Sequence, residues 1–334
     1  MIYKFQKFLN NKIQIEKNVK FSLIIGLNPS VSARSPYLWN KCYRILKKNI
    51  RMYAADVSQH NLKKLIYSLK EEKNFLGSAV TLPYKEEILE HLDSLSPEAK
   101  NISSVNIIVK NGKELIGHNT DYYGSINSLT KIFKKKKNKK ILVIGCGGAG
   151  KACIFSVLDF FNNSKIYLFN RTYKKFNFIN KKIKNNDINF IKNLNKIYSL
   201  KKLDLIVNTT SVGFDAWRIC SKKKYINLSF FTPLTNLLKI KAIKKKSNIE
   251  FFSINRELIS INLIKTINFL INNLKVFVFD IIFYPEKTTL IKISQILNIK
   301  NLNGLNMNLM QAVMGFSLVN KYNNLKKIKQ LMLK

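Results

Sequence analysis

The sequence predicts an α/β protein built from two domains. The chain has 334 residues, which suits two domains because a single domain commonly holds about 100–200 residues. Short apolar, β-rich segments alternate with helical segments over most of its length, and this alternation is typical of α/β folds. A glycine-rich turn joins a strand-like segment to a helical one near the middle of the chain, as in parallel sheets that carry helices on both faces.

The first third of the chain predicts three strands with helices between them. The strands are short and apolar, at Phe21–Gly26, Ile50–Asp56 and Phe75–Leu82. Helices are predicted after Ser35-Pro36 and over Asn61–Glu72, the second of them amphipathic.

Two turn signals complete this part of the chain. Pro83 closes the third strand and suits the first turn of a helix, which would place Lys85 on that turn. Asn111-Gly112 separates Val105–Lys110 from Glu114–Gly117 and predicts a two-residue hairpin turn. A hairpin beside the other strands indicates a sheet with an antiparallel or mixed edge.

The second part predicts a parallel, doubly wound sheet, because strands and helices continue to alternate there. The predicted strands are Lys140–Ile144, Ile166–Phe169, Asp204–Asn208 and Val276–Ile282, and a helix runs from the glycine-rich turn to about Phe161. Residues 214–275 are rich in Lys, Asn and Ile and show little pattern. From Asn308 onwards the chain predicts one or two helices.

The glycine-rich turn is a candidate dinucleotide site. The segment Gly145-Cys146-Gly147-Gly148-Ala149-Gly150 matches G-x-G-x-x-G between a predicted strand and a predicted helix. Such glycines allow a tight turn and a close approach of the backbone to a pyrophosphate, whose charge the N–H groups at the helix N-terminus receive. A purely structural turn is the alternative, and the strand–turn–helix context favours the cofactor site.

The end of the next strand indicates which dinucleotide binds. An NAD site needs an acidic residue there for the ribose hydroxyls, but Lys165–Phe176 contains none. The segment is Asn170-Arg171-Thr172, and Arg171 would pair with the 2′-phosphate of NADP. Only six arginines occur among the 58 basic residues, so Arg171 predicts NADP, the alternative being a surface arginine in a turn.

Lys85 and Asp121 are candidates for proton transfer. Lys85 ends Val80-Thr81-Leu82-Pro83-Tyr84-Lys85, and Asp121 ends Gly117-His118-Asn119-Thr120-Asp121 ahead of another helix. A lysine moves protons near neutral pH when its pKa falls from about 10.4, and a neighbouring carboxylate orients it. From these residues alone, a solvated lysine and a helix-capping aspartate are the simpler explanation.

The composition is strongly basic, with a net charge of +39. Nucleic-acid binding would use such a charge, but Lys, Asn and Ile crowd the whole chain, including stretches without a plausible site. Arginine, which phosphate-reading surfaces recruit for its forked geometry, is scarce. We therefore expect compositional drift and no nucleic-acid partner, although the charge would still attract anionic substrates and cofactors.

The cysteines, the histidines and the hydropathy pattern argue against a disulfide-rich, a metal-binding or a membrane-spanning protein. Four scattered cysteines and three histidines predict reduced thiols, no disulfide framework and no metal site. No apolar run reaches the roughly 18 residues of a membrane span. We expect a cytoplasmic protein without a membrane partner; an organellar stroma is the alternative if Met1–Lys20 is a transit segment rather than a ragged terminus.

Several short motifs occur in a characteristic order. They are Asn28-Pro29, Arg34-Ser35-Pro36, Val80-Thr81-Leu82-Pro83-Tyr84-Lys85, Val105-Asn106, Asn119-Thr120-Asp121, the glycine loop, Asn170-Arg171-Thr172, Asn208-Thr209-Thr210-Ser211-Val212-Gly213, Asp280, Pro285, Thr288 and Gln311-Ala312. Together they resemble the shikimate dehydrogenase family, which includes quinate dehydrogenases. The resemblance covers most of Phe21–Gly213 and again Val276–Val319.

The resemblance implies an NADP-dependent shikimate dehydrogenase that reversibly reduces 3-dehydroshikimate to shikimate. Lys85 and Asp121 match the catalytic pair of the family, which relays the proton to or from the hydroxyl oxygen. Positions that match substrate contacts are Ser35, Thr81, Asn106 and Gln311. The positions that match the cofactor site are Gly145, Gly147, Gly148, Ala149, Gly150, Asn170, Arg171 and Thr172.

The resemblance also implies an architecture. We expect residues 1–120 with 304–334 to form an α/β substrate-binding domain, and residues 121–303 to form a Rossmann-type NADP domain. The active site would lie in the cleft between them. Either a monomer or a homodimer is expected, and fusion to a dehydratase in a longer precursor is left open.

The departures from the family concern substrate binding. One of two serines usually found near Pro36 is Ala33 here, with Ser32 just before it, and the tyrosine expected three residues after Asp280 is Phe283, with Tyr284 next. Either Ser32 and Tyr284 supply the missing hydroxyls through a local shift, or binding weakens by roughly 1.5–3 kcal/mol per lost hydrogen bond to a charged group.

Three alternatives follow. The protein could be a quinate/shikimate dehydrogenase of relaxed specificity, a basic nucleic-acid-binding protein, or a non-catalytic relative. The last two leave the glycine loop or the Lys85–Asp121 pair unexplained. The family's segment between Gly213 and Asp280 is much shorter, so residues 214–275 have no predicted role.

Overall fold

The computed structural model describes residues 3–134, 137–177, 179, 187–221 and 223–334. Contacts between Cα atoms divide the chain into two units. The first comprises residues 1–127, 151–156 and 307–334, and the second comprises residues 128–150 and 157–306. Each unit contains a six-stranded sheet together with helices, which confirms the predicted α/β class.

The sheet of the first unit is mixed. Its strands are β1 (Lys20–Gly26), β2 (Ile50–Asp56), β3 (Phe75–Val80), β4 (Ser94–Leu95), β5 (Ile107–Asn111) and β6 (Glu114–His118), in the spatial order β2-β1-β3-β5-β6-β4. β1 runs parallel to β2 and β3, whereas β5 runs antiparallel to β3 and β6. The predicted mixed edge is therefore present.

The hairpin between β5 and β6 turns one residue later than predicted. Asn111 pairs with Glu114, so Gly112 and Lys113 are the central residues of the turn. Gly112 has a φ of +60°, a left-handed conformation that glycine adopts without a Cβ penalty. The positive φ that this turn requires is therefore supplied by Gly112.

Side chains from alternate positions of β1 point into two cores. The helices of this part are α1 (Pro29–Ser32), α2 (Ser35–Ile45), α3 (Gln59–Glu71) and α4 (Pro97–Ile102). Leu23 packs in the core that contains the buried residues of α3. Ile24 packs in a separate core with Trp39 and Tyr43 of α2. Because successive strand residues face opposite ways, the sheet is covered on both sides.

The opening residues belong to the first of these cores. A 3-10 helix spans Lys4–Phe8, and Phe5 stacks on Phe21 with ring centroids 5.4 Å apart. Asn11 donates a hydrogen bond from its Nδ2 to the carbonyl oxygen of Ala54 in β2 at 3.0 Å. Instead of a ragged terminus, residues 3–20 form a packed part of the first unit.

The sheet of the second unit is parallel, as predicted. Helices α5 (Thr120–Ile132) and α6 (Gly148–Phe160) precede and follow its first strand. The strands are β7 (Lys140–Ile144), β8 (Lys165–Phe169), β9 (Asp187–Ile191), β10 (Leu205–Asn208), β11 (Trp217–Ser221), β12 (Lys224–Asn227), β13 (Phe277–Asp280) and β14 (Asn301–Leu302). The sheet order is β14-β13-β10-β7-β8-β9, and β11 and β12 form a separate antiparallel hairpin.

The remaining helices are α7 (Leu194–Tyr198), α8 (Asn248–Ile271), α9 (Thr289–Ile296), α10 (Leu305–Asn320) and α11 (Leu325–Leu333). The last two agree with the helices predicted near the end of the chain. Among the described residues, every helix is too short or too polar to cross a bilayer.

Helix α8 occupies the stretch in which the sequence predicted no element. It runs over 24 residues, and the side chain of its N-cap, Ser247, accepts a hydrogen bond from the backbone N–H of Glu250 at 3.3 Å. Its buried side supplies Phe251 and Phe269 to cores of the second unit. Apolar residues also occupy its other side, so no single apolar face marks the helix in the sequence.

Asp280, the last residue of β13, is completely buried. Its carboxyl group accepts hydrogen bonds from Thr288 Oγ1 at 2.7 Å, Asn208 Nδ2 at 2.9 Å and the backbone N–H of Ile282 at 3.1 Å. Burial raises the pKa of Asp280 to about 7, although the three donors favour the charged form. This carboxyl group therefore changes its charge near neutral pH.

We expect Asp280→Asn to remove part of the pH dependence of stability. The pKa of an aspartate is about 3.9 in the unfolded chain and rises to about 7 on folding here. The folded wild type therefore holds one extra proton between about pH 4 and 7, so its free energy of unfolding falls with rising pH, by on the order of 3–4 kcal/mol relative to the variant. Urea unfolding near both ends of this window measures the difference.

The control for this prediction is Asp187→Asn, which changes an exposed aspartate on β9. It should keep the wild-type pH dependence of stability. Equal pH slopes for wild type and Asp280→Asn would contradict the prediction.

Candidate active site

Lys85 lies in a turn rather than in a helix. After β3 the chain turns over residues 82–86 and then forms a 3-10 helix at Glu87–His91. An α-helix would use the carbonyl oxygen of Lys85 internally. Here that oxygen accepts a hydrogen bond from the backbone N–H of Val105 at 2.8 Å. The helix predicted from Pro83 is therefore wrong, because a bond to a distant segment takes the place of the helical one.

Asp121 occupies the first turn of α5, where the helix N-terminus favours a carboxylate. Its Oδ2 lies 2.5 Å from the Nζ of Lys85, and the exposed fractions of the two side chains are 7% and 13%. Two charges so far removed from water are stable only while they remain paired. The structure thus brings the two candidate proton-transfer groups into direct contact.

Asn106 connects the segments around this ion pair. Its Oδ1 accepts a hydrogen bond from the backbone N–H of Thr120 at 2.7 Å, and its Nδ2 donates to Thr120 Oγ1 at 3.0 Å. The same Nδ2 lies 3.3 Å from Oε1 of Gln311 in α10. Thr120 Oγ1 also donates to the carbonyl oxygen of Gln311 at 3.0 Å. One buried asparagine therefore holds α10 to the start of α5, next to Asp121.

The other predicted substrate contacts of the first unit follow β1 and β3. The backbone N–H of Thr81 donates to the carbonyl oxygen of Ile25 at 2.8 Å, which extends the pairing of the two strands by one residue. Ser32 ends α1 and is exposed, whereas Ser35 begins α2 and is buried. Because β1 and β3 are parallel neighbours, the segments after them leave the same edge of the sheet.

Arg34 lies between these two serines. Its Nη1 donates to Oδ1 of Asn308 in α10 at 3.0 Å. Partial burial lowers the pKa of Arg34, and the electrostatic interaction with Tyr37 opposes that shift. A guanidinium group thus adds positive charge beside Ser35.

Tyr284 belongs to the second unit. Its side chain is exposed, and its ring centroid lies 6.3 Å from that of Phe214. Phe283 contacts the same ring, with centroids 6.2 Å apart. The contacts that join Lys85 to Asp121 and Asn106 to Gln311 lie within the first unit.

The glycine loop joins β7 to α6 in the second unit. Gly145 has a φ of +109°, and a Cβ there would lie 2.6 Å from Oγ1 of Thr209. A Cβ on Gly150 would lie 2.8 Å from the same oxygen. Thr209 Oγ1 itself donates to the carbonyl oxygen of Ile144 at 2.9 Å. Both glycines are therefore required by close packing against Thr209.

Gly147 has a different environment. Among the described residues no atom lies within 4 Å of a Cβ built on it. It is the N-cap of α6, so the N–H groups of Gly148, Ala149 and Gly150 begin the helix without intrahelical partners. Open space beside such N–H groups suits an anion. The loop therefore fits a dinucleotide pyrophosphate.

The turn after β8 is attached to this loop. Asn170 Oδ1 accepts a hydrogen bond from the backbone N–H of Cys146 at 3.1 Å, and its Nδ2 donates to the carbonyl oxygen of Thr172 at 2.8 Å. Arg171 is exposed, and the exposed Lys174 follows it. Positive charge thus occupies the place where an NAD-specific site carries an acid.

One ion pair near these motifs was not predicted. The Nζ of Lys151, the residue after the glycine loop, lies 2.9 Å from Glu86 Oε2 and 3.3 Å from the carbonyl oxygen of Ser103. Lys151 is buried, and Glu86 follows Lys85 directly. Lys151 follows the glycine loop and Glu86 follows the motif that ends at Lys85, so each residue could have been noticed as the neighbour of a motif. No local pattern, however, predicts contact between two residues separated by 65 positions.

Two family models match the chain. The model described as the shikimate dehydrogenase substrate binding domain matches residues 24–108. The model described as shikimate / quinate 5-dehydrogenase matches residues 127–214.

Relatives with established names match over longer stretches. The shikimate dehydrogenase (NADP(+)) of Caldicellulosiruptor saccharolyticus is 30% identical over 253 residues, which is 75% of each chain. The shikimate dehydrogenase (NADP(+)) of Carboxydothermus hydrogenoformans is 28% identical over 306 residues, covering 91% of this chain and 92% of the relative.

Solved structures agree with this fold. Shikimate dehydrogenase from Aquifex aeolicus has a TM-score of 0.69 at 26% identity, covering 96% of this chain and 100% of that one. Shikimate 5-dehydrogenase from Listeria monocytogenes, solved in complex with shikimate and NAD, has a TM-score of 0.69 at 23% identity, covering 96% of this chain and 99% of that one.

Proposed function

The chain belongs to the shikimate dehydrogenase family, and on that premise we propose that it is an NADP-dependent enzyme that interconverts 3-dehydroshikimate and shikimate. The buried contact between Lys85 and Asp121 is the observation that carries the proposal, because it supplies a proton donor in a chain whose relatives bear that name. The scattered free cysteines support a cytoplasmic location, since such thiols suit a reducing compartment.

When bound, NADPH would supply the hydride that reduces the carbonyl carbon of 3-dehydroshikimate. Lys85 donates a proton from its Nζ to the carbonyl oxygen, which becomes the hydroxyl oxygen of shikimate. Lys85 then recovers a proton from solvent. Asp121 accepts a hydrogen bond from the Nζ at its Oδ2 and so holds the Nζ at a fixed position as the second member of the pair. In the direction of oxidation, Lys85 accepts the hydroxyl proton at the same atom.

We assign substrate binding to polar side chains around this pair. Asn106 and Gln311, which are held to each other, would bind ring hydroxyls together with Thr81. Ser32 and Ser35 would bind the carboxylate. Tyr284, which belongs to the second unit, is assigned to the substrate only because it follows Phe283, the residue at the family's tyrosine position. Because the described contacts hold Asn106 from two sides, its amide is oriented before the substrate binds, which lowers the entropic cost of binding.

The cofactor site is assigned to residues of the second unit that also fall within the NADP domain expected from the sequence over residues 121–303. The N–H groups of Gly147, Gly148, Ala149 and Gly150 would receive the pyrophosphate. Arg171 would pair with the 2′-phosphate of NADP, and Asn170 and Thr172 would shape the turn that presents Arg171.

Quinate is the second candidate substrate, since one matching family model is named for both shikimate and quinate and since Ala33 and Phe283 lack hydroxyls. Initial rates of NADPH formation with each acid, beside the rates with NAD, test the assignment. We expect kcat/KM with shikimate and NADP to exceed the other combinations at least about tenfold, or 1.4 kcal/mol of discrimination. A preference for quinate would overturn the shikimate assignment, and no turnover with either acid would overturn the enzymatic one.

We expect Lys85→Ala to lower kcat for shikimate by about a hundredfold to ten-thousandfold, because it removes the proton donor. NADP affinity should be unchanged, because Lys85 lies outside the glycine loop; fluorescence titration measures it. Lys113→Ala is the matched control, since Lys113 forms an exposed ion pair with Glu71, and it should retain full activity. Unchanged kcat in Lys85→Ala would remove Lys85 from the mechanism.

We expect Arg171→Ala to raise the Kd for NADP by about tenfold to a hundredfold, because a hydrogen-bonded charge pair with the 2′-phosphate contributes roughly 1.5–3 kcal/mol. The Kd for NAD, which lacks this phosphate, should change little. Lys174→Ala, in the same exposed turn, controls for a general loss of positive charge. Equal weakening of NADP and NAD in Arg171→Ala would contradict the assignment.

A further inference from the structure

Lys151 directly follows the glycine loop, but its contacts with Glu86 and Ser103 lie within the first unit. Its Nζ lies 2.9 Å from Oε2 of Glu86 and 3.3 Å from the carbonyl oxygen of Ser103, and only 10% of its side chain is exposed. A buried ammonium group is stable only while it keeps such partners. A lysine beside a phosphate-binding loop commonly contacts the phosphates, whereas two protein oxygens hold this one.

The two partners of Lys151 lie on the two segments that position Lys85. Glu86 is the residue directly after Lys85. Ser103 comes two positions before Val105, whose backbone N–H donates to the carbonyl oxygen of Lys85 at 2.8 Å. The ammonium group of Lys151 therefore ties the turn of Lys85 to the residues that precede β5, in addition to the backbone hydrogen bond between the same two segments.

The carbonyl oxygen of Ser103 can accept this hydrogen bond because helix α4 ends there. Ser103 is the C-cap of α4 and has a left-handed conformation, with φ 53° and ψ 48°. The last carbonyl oxygens of a helix have no intrahelical partners, and lysine side chains commonly donate to them. The end of α4 thus supplies an acceptor for the ammonium group of Lys151.

The start of α6 also contacts the helix that carries Asp121. Ser156 lies in α6, and its Oγ is 2.5 Å from Oγ of Ser125 in α5, both atoms being buried. Ser125 comes four residues after Asp121, so the two residues lie on the same side of α5. The first turns of α6 therefore contact the segments of both members of the proposed proton-transfer pair.

We propose that Lys151 is a positioning residue for proton transfer, which fixes the turn of Lys85 by holding Glu86 and the carbonyl oxygen of Ser103. The inference rests on the proposed function, in which Lys85 moves the proton. Lys151 contacts no reacting atom in this role and acts only through the position of Lys85. A displacement of about 1 Å in a reacting group lowers a rate by about a hundredfold, even when its cause is remote. Lys151 therefore controls the rate of turnover rather than the affinity for the cofactor.

Lys151→Met tests this role, because methionine keeps most of the hydrocarbon stem and removes the charge. The side chain of Glu86 is 35% exposed, so water can solvate its carboxylate in the variant, and circular dichroism should show a wild-type fold. We expect kcat for shikimate to fall by about tenfold to a hundredfold. The KM for shikimate and the Kd for NADP should each change by less than about threefold, because the variant loses no contact to either molecule.

Two further variants serve as comparisons. Lys151→Arg keeps a charged donor for both oxygens and should restore kcat to within about threefold of the wild type. Lys70→Met removes the ion pair between Lys70 and Asp93, whose side chains are 20% and 34% exposed, and should keep the wild-type kcat. At least about tenfold weaker NADP binding in Lys151→Met, with a normal kcat at saturation, would assign Lys151 to a cofactor phosphate and overturn the proposal.

The solvent isotope effect on kcat separates a loss of positioning from a general loss of structure. If Lys85 is displaced, proton transfer slows relative to hydride transfer and limits turnover more strongly. The ratio of kcat in H2O to kcat in D2O should therefore be larger for Lys151→Met than for the wild type or Lys70→Met. An equal ratio in all three proteins would overturn the proposal.

Hydrogen exchange of the protein without cofactor or substrate tests the contacts independently of turnover. Peptides that contain Val105 should exchange at least about tenfold faster in Lys151→Met, because the acceptor of the Val105 N–H lies on the turn that Lys151 holds. Lys70→Met should exchange there as the wild type does. Unchanged exchange at Val105, or an unchanged kcat in an active enzyme, would overturn this inference alone. A wild type without shikimate turnover would overturn the proposed function and, with it, this role of Lys151.

Discussion

The contact between Lys85 and Asp121 places a strong constraint on the first unit. An ammonium group and a carboxylate that are both nearly out of water must be held together, since separating them would leave two uncompensated charges. Hydrogen bonds to a neighbouring segment hold these two groups in place. The carbonyl oxygen of Lys85 accepts a hydrogen bond from the backbone N–H of Val105, and the backbone N–H of Thr120 at the start of α5 donates to Oδ1 of Asn106. Adjacent residues of one short segment thus fix both partners of the ion pair.

That short segment precedes β5, so the position of the ion pair depends on the sheet. β5 pairs antiparallel with β3, and the turn that carries Lys85 leaves from β3. Asn106 also reaches Gln311 in α10, a residue separated from it by 205 positions. A few buried hydrogen bonds therefore make α10 part of the same arrangement, and the loss of any one of them would loosen groups on several segments.

In the second unit, Thr209 has a comparable organising role. Its hydroxyl donates to the carbonyl oxygen at the end of β7, and its oxygen lies where a side chain at Gly145 or Gly150 would have to be. Gly147, the N-cap of α6, leaves open space next to the N–H groups that begin the helix. Glycine is thus needed for two reasons in one loop. Gly145 and Gly150 allow close packing against Thr209, and Gly147 allows a pyrophosphate to approach the backbone.

Much of this protein was determined by local sequence. Local patterns of hydrophobicity, turn residues and motif spacing, each spanning only a few residues, were enough to predict several features. These are the strands β1, β2, β7, β8 and β10, the hairpin, the glycine loop and the family motifs. Helix α8 was not predicted, because apolar residues on two of its sides remove the helical periodicity of hydrophobic and polar residues. Only the tertiary structure decided that Lys85 sits in a turn, that Glu86 meets Lys151, and that Asp280 is buried enough to raise its pKa. Each of these depends on hydrogen bonds or burial created by segments far apart in the chain, and local patterns do not specify which distant segment arrives.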